Sequence, residues 1–295
     1  MTIRTILLAL GGGSASLGAA DTACRVANRF DAHLEGLHVR QDPRMVGIDY
    51  GAGVGAGLGV GAPVTAEFFE GLEAAEDEVS QTSRRAFDHA LSSYQIALTN
   101  VPLGGKPSAA SAEWREETSL PSEFLPRRAR LFDLVVVGRS DRVEDQPHSS
   151  LIETLLVEGG RPVLVAPAQA PASLGETIAV AWNGSGEAAR ALAAAIPFLE
   201  KATKVIILTA EPTEAQEGLA VVQQLAWHGI SAIPRHVGAP EGVAMGEFLL
   251  SSAREEGADL LVMGGYGRAP WREMLFGGAT RDILSTSHLP ILLAH

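Results

Sequence analysis

The segment Phe132-Asp-Leu-Val-Val-Val-Gly138 recurs as Ala258-Asp-Leu-Leu-Val-Met-Gly264, and Arg161-Pro-Val-Leu-Val-Ala166 recurs as Leu289-Pro-Ile-Leu-Leu-Ala294. A chain that writes the same apolar runs twice in the same order folds as two copies of one unit. The shared Gly and Pro stand at 138 and 162 in one copy and at 264 and 290 in the other, so one connecting loop is two residues shorter. With 295 residues, 46% of them hydrophobic, each copy of about 150 residues can bury a full core. The expected domains are residues 1–168 and 174–295. The linker between them, Pro167-Ala-Gln-Ala-Pro-Ala-Ser173, is too short to let the copies drift apart.

The second copy carries β-rich apolar runs at Thr177–Ala181, Lys204–Thr209, Ile230–His236, Asp259–Met263 and Leu289–Leu293. Between the first two, Ala188, Ala191, Leu192, Ala195 and Leu199 share one helical face, behind Ser185 at the N-cap position. Further helices are expected over Pro212–Trp227 and Gly242–Glu256, stopped by Gly229 and Gly257 in the left-handed C-cap conformation. Strands that alternate with helices of this length become parallel neighbours with helical crossovers. The first copy repeats the order: strands at Ile3–Leu10, His33–Val39, Ala112–Glu117, Asp133–Val137 and Pro162–Ala166, helices at Ser14–Phe30, within Thr65–Leu98, at Pro121–Arg130 and near Ser150–Val157. The fold class is therefore α/β, two tandem doubly wound domains, each with a five-stranded parallel sheet.

The net charge of −12 is acidic on both sides of the linker, which argues against a dedicated DNA or RNA binder, since such a protein needs a clustered cationic face. A single cysteine, Cys24, allows no internal disulfide and no thiolate metal cage, and suits a reducing, cytoplasmic compartment. It falls among small apolar residues and is expected in the core. No leader-type apolar region and no segment of ~20 apolar residues is present, so no membrane span is expected. The eight histidines are dispersed, and no Ser-His-Asp set has spacing support. The run Glu73, Glu76, Asp77, Glu78 is expected to be the solvated face of the long helix, and the Gly-rich insertion 47–63 a surface loop or an apolar contact surface.

In an open parallel sheet, ligands collect beyond the carboxyl ends of the strands, where the strand order reverses. In the second copy the fourth strand runs into Gly264-Gly-Tyr-Gly267-Arg-Ala-Pro-Trp-Arg-Glu-Met-Leu-Phe-Gly277-Gly-Ala-Thr280. Glycines there let main-chain amides approach an anion, though they could equally do no more than shape a strand-to-helix turn. Trp271 and Phe276 are expected to anchor the last helix.

The pattern Gly264-x2-Gly267-x9-Gly277 resembles the nucleotide-binding pattern of the universal stress protein family, G-x2-G-x9-G-[S/T]; the flanking strand, the last helix and the alternation of elements over both halves are similar too. The resemblance implies the adenine nucleotide alpha hydrolase-like fold and an adenine nucleotide, ATP or AMP with or without Mg2+, as ligand. The implied contacts are Gly264, Gly267, Gly277, Gly278, Ala279 and Thr280 on ribose and phosphates and Asn183 at the adenine, with Ala181, Trp182, Gly184, Ser185 and Arg268 completing the nucleotide-binding set. Gly278 replaces the family's Ser or Thr, and Asn183 replaces its Asp, which keeps an acceptor but removes a charge. The resemblance also implies pairing through the last strands, here within one chain, with Leu164-Val-Ala166 meeting Ile291-Leu-Leu293; a homodimer of two chains stays open.

In the first copy, Asp141 stands where Gly267 stands in the second, and Ser149-Ser150 replace the glycine pair. A carboxylate repels phosphate, so this half is expected to serve pairing or structure. Three functions follow: a nucleotide-sensing stress protein with at most slow hydrolysis, a ligand-free interaction or chaperone-like module, or an enzyme using Gly11-Gly-Gly-Ser14 as a pyrophosphate loop.

Overall fold

A computed structural model describes residues 2–13, 15–41, 66–101, 108–139, 147–210, 214–238, 245–265, 283–284 and 287–295. The strands are β1 (Thr5–Leu10), β2 (His33–Arg40), β3 (Ala97–Leu98), β4 (Ser111–Thr118), β5 (Leu134–Gly138), β6 (Val163–Ala166), β7 (Thr177–Ala181), β8 (Lys204–Thr209), β9 (Ala232–His236), β10 (Leu260–Gly264) and β11 (Ile291–Ala294). The helices are α1 (Ala15–Phe30), α2 (Ala66–Tyr94), α3 (Pro121–Ala129), α4 (Pro147–Gly159), α5 (Gly186–Leu199), α6 (Ala215–Ala226) and α7 (Met245–Glu255). The Gly-rich insertion 47–63 and residues 266–282, with Trp271 and Phe276, lie outside the described residues.

All the described strands join one sheet in the order β3-β4-β2-β1-β5-β6-β11-β10-β7-β8-β9. Within each half the principal strands run third, second, first, fourth, fifth, so the order reverses between β1 and β5 and again between β7 and β10. The two-residue β3, added outside β4, has no counterpart among the described residues of the second half and no clear sequence signal. The halves meet where the resemblance implied: β6 and β11 pair antiparallel, with Leu164 opposite Leu292 and Val165 opposite Ile291.

Side chains alternate across each strand, so the two faces of the sheet are separate cores. One, under α1, α2, α5 and α6, runs unbroken from Ile6 and Leu8 through Leu164 and Leu292 to Val180 and Ile207. The other, under α3, α4 and α7, runs from Leu7 through Val163 and Leu293 to Ile206. α1 can lie flat on the sheet because its buried face is small: Ala19, Ala20, Ala23, Cys24 and Ala27. Burial raises the Cys24 thiol to about 12, which leaves it unreactive.

Local signals act as expected. Ser185 caps α5 by accepting the Ala188 amide at 3.2 Å. Gly229 and Gly257 carry φ of +73° and +74° after α6 and α7. The repeated aspartates do one job twice: Asp133 accepts from the Arg4 and Thr5 amides, and Asp259 from those of Gly175, Glu176 and Thr177, fixing the start of the first strand in each half. The linker is held against α1, where Arg25 donates to the Ala172 carbonyl at 2.8 Å. No helix among the described residues is long and apolar enough to cross a membrane.

Candidate functional site

Each reversal of strand order leaves a crevice beyond the strand ends. In the second half it is bounded by the turn after β7 and the end of β10. Ala181 closes β7, and Trp182 continues the ladder by donating its amide to Leu208 O at 2.8 Å. Asn183 then makes a side-chain turn, its Oδ1 accepting the Ser185 amide at 3.1 Å. Gly184 sits at φ +71°, where a Cβ would meet the Glu217 carboxylate, and that carboxylate also accepts from Trp182 Nε1. At the end of β10, a Cβ on Gly264 would lie 2.6 Å from the Ala188 nitrogen. Its bareness serves the seating of α5 on the sheet.

The pairing of β7 with β10 sets the Ala181–Ser185 turn beside Gly264, and several main-chain amides around them are engaged inside the protein. Ser185 and Ala188 donate to Asn183 and Ser185 side chains, and Gly265 donates to Ala294 O at 2.9 Å. The Glu187 carboxyl is held below its usual range by its own backbone amide and then by Arg190. With Glu217 it puts negative charge at this rim. Negative charge and the engaged amides at the start of α5 disfavour an anion at this rim. Gly267, Arg268, Gly277, Gly278, Ala279 and Thr280 lie outside the described residues. Among the described residues no group of three or more His, Cys, Asp or Glu could hold a metal ion.

The first half, expected to serve pairing or structure, holds a cavity of about 450 Å³ at its own crevice. Its floor is the ends of β1, β2 and β5, and its sides are α2, α3 and α4. Gly138 repeats the role of Gly264: a Cβ there would lie 2.4 Å from Ala15 O. Gly12, at φ +79°, lies under Val79 of α2, where a Cβ would come within 2.7 Å. His38 is 2% exposed and donates Nδ1–H to Leu10 O at 2.9 Å, the proton being assigned by the carbonyl, which can only accept. Its Nε2 stands 3.2 Å from Glu76 Oε1 but in no hydrogen-bonding alignment, so that nitrogen is buried without a hydrogen-bond partner.

No family model matches the sequence, and no curated protein matches it. Solved structures do. A universal stress protein from Archaeoglobus fulgidus DSM 4304 superposes with a TM-score of 0.68 at 14% identity, over 99% of this chain and 96% of that one. The chain has the fold of a universal stress protein. A second structure, a functionally unknown protein, PA1789, from Pseudomonas aeruginosa PAO1, matches with a TM-score of 0.55 at 18% identity over 99% of this chain and 92% of its own.

On a universal-stress-protein fold, two residues escaped the sequence. Glu76 belongs to the run expected to be solvated, yet its side chain is 19% exposed and faces His38. Its neighbour Asp77 pairs with Arg40, while Glu73 and Glu78 do point to solvent. His38 on β2 carried one signal, a histidine in an apolar strand whose alternate positions are Leu34 and Gly36. Glu76 carried none, since only tertiary packing turns it inward.

Proposed function

We propose that the protein is a cytoplasmic regulatory protein of the universal-stress-protein type that binds an adenine nucleotide, ATP or AMP, at the crevice of its second half and performs no efficient chemistry of its own. The observation that carries this reading is the meeting of the Trp182–Ser185 turn with Gly264 at the reversal of strand order, on a fold shared over nearly the whole chain with a universal stress protein. The turn after β7 supplies polar groups for a base, with Asn183 in the place of the family's Asp. Phosphates would fall to the amides of residues 267–280, because those at the start of α5 are in use. Binding would shift the loop surface that partners read.

The competing reading, a ligand-free interaction module, is favoured by those same engaged amides. Calorimetry of nucleotide-stripped protein with ATP, ADP and AMP separates the two. Heat of binding at micromolar to millimolar ligand supports the sensor. No heat at millimolar ligand, with no nucleotide released on denaturing the protein as isolated, leaves the module.

A further inference from the structure

The first-half cavity is large enough for a small molecule, within the range of ~300–1,000 Å³ usual for such sites. Most of its wall is apolar, contributed by Leu37, Val39, Leu125, Val137 and Ile152. Its ionisable wall residues are His38 and Glu76, and no lysine or arginine lines it among the described residues. Glu76 is therefore a carboxylate at an apolar wall with no lysine or arginine beside it among the described residues, which disfavours a phosphate or carboxylate ligand by like-charge repulsion in a medium less polarisable than water.

Behind that carboxylate is the unpartnered His38 Nε2. Nδ1–H is committed to Leu10 O, and Nε2 stands 3.2 Å from Glu76 Oε1 out of hydrogen-bonding alignment. A buried polar atom without a hydrogen-bond partner costs free energy until one arrives. We propose that the cavity binds a small, mostly apolar molecule carrying one amine or amidine, whose N–H groups engage Glu76 beside the unpartnered His38 nitrogen. The apolar body fills the space between α3, α4 and the strand ends, and the cationic head replaces water at Glu76 as a charge-assisted donor. This site is separate from the nucleotide crevice proposed for the second half and does not rest on it.

The test is calorimetric titration of the full chain with benzamidine, benzamide and benzoate, three probes of one shape with cationic, neutral and anionic heads. Benzamidine should bind, benzamide at least about tenfold more weakly, and benzoate not measurably, as the loss of a charge-assisted bond implies. Glu76→Gln should weaken benzamidine at least about tenfold with the melting midpoint no lower than wild type, and Val79→Phe, which projects into the cavity, should abolish binding. Should Val79→Phe fail to fold, Glu76→Gln alone decides. Saturating ATP should leave benzamidine binding as it was. No heat with benzamidine at millimolar concentration, equal affinity for Glu76→Gln, binding of benzoate as tight as benzamidine, or displacement by AMP would each overturn the proposal.

Discussion

The ring of Phe30, the last residue of α1, meets the ring of Phe198 in α5 edge-on, with centroids 4.9 Å apart and planes at 84°. The contact joins the two halves of the chain, and the Lys201 ammonium lies over the same Phe30 ring while donating to the Arg29 carbonyl. Arg29 answers with bonds to Glu176, Gly175 O and Lys201 O. With β6 paired to β11 and both cores continuous across the junction, neither half presents a finished surface on its own. The chain should unfold in one transition, with fluorescence and circular dichroism coincident. Phe198→Ala should cost about 3–5 kcal/mol and lower that single midpoint, whereas a variant that splits the curve in two would show independent halves.

The paired aspartates give a matched experiment. Asp133→Ala strips an acceptor from the Arg4 and Thr5 amides and the Thr5 hydroxyl, and Asp259→Ala strips one from three successive amides. Each should cost about 2–3 kcal/mol in urea unfolding, because part-buried donors lose a charged acceptor. A loss under about 0.5 kcal/mol in either half would show that water replaces the carboxylate.

Gly138 and Gly264 form a second matched pair. A methyl group at either would overlap the first turn of the first helix of its half, α1 or α5, at 2.4 Å from Ala15 O or 2.6 Å from the Ala188 nitrogen. Backbone cannot yield as a flexible side chain does, so Gly138→Ala and Gly264→Ala should each destabilise by about 1–3 kcal/mol or more. Thermal melts check this. Wild-type stability of Gly264→Ala with loss of ligand binding would instead mark that glycine as a ligand contact.

Glu113 and Glu35 stand opposite each other on β4 and β2. Glu35 is fully buried and is gripped through both oxygens by Arg128. Burial first, then the hydrogen bond and charge of Glu35, push the Glu113 carboxyl above its usual range, against an opposing pull from His33. A carboxyl raised in the folded state loses its proton first in the unfolded chain, so stability falls as pH climbs from the ordinary carboxylate value through the raised one. Glu113→Gln removes that cost. The variant should exceed wild type in urea midpoint at pH 7, with the gap closing below about pH 4. A gap that widens on acidification contradicts the assignment.

Much of the fold was legible because the repeat, the apolar periods and the end signals agreed. Thr177–Ala181 and Lys204–Thr209 begin and end where the apolar runs do. Ser185, Gly229 and Gly257 cap as their chemistry dictates. The site was legible only in outline. Sequence spacing pointed to the loops after the first and fourth strands, but not to Asn183 spending its carbonyl on Ser185 or Gly264 serving the packing of α5. Those facts depend on how closely a helix approaches a sheet, a distance that no local pattern encodes. The first-half cavity was hidden for the same reason, since its polar pair comes from β2 and α2, elements far apart in the chain.

The nucleotide reading meets its most direct test in ATP binding by wild type and by Gly267→Asp, which places in the second half the residue that Asp141 supplies in the first. Calorimetry on nucleotide-stripped protein should show one ATP per chain for wild type and affinity at least about tenfold weaker for the variant, as a carboxylate beside phosphate requires. Equal binding by both proteins, or none by wild type, would contradict it.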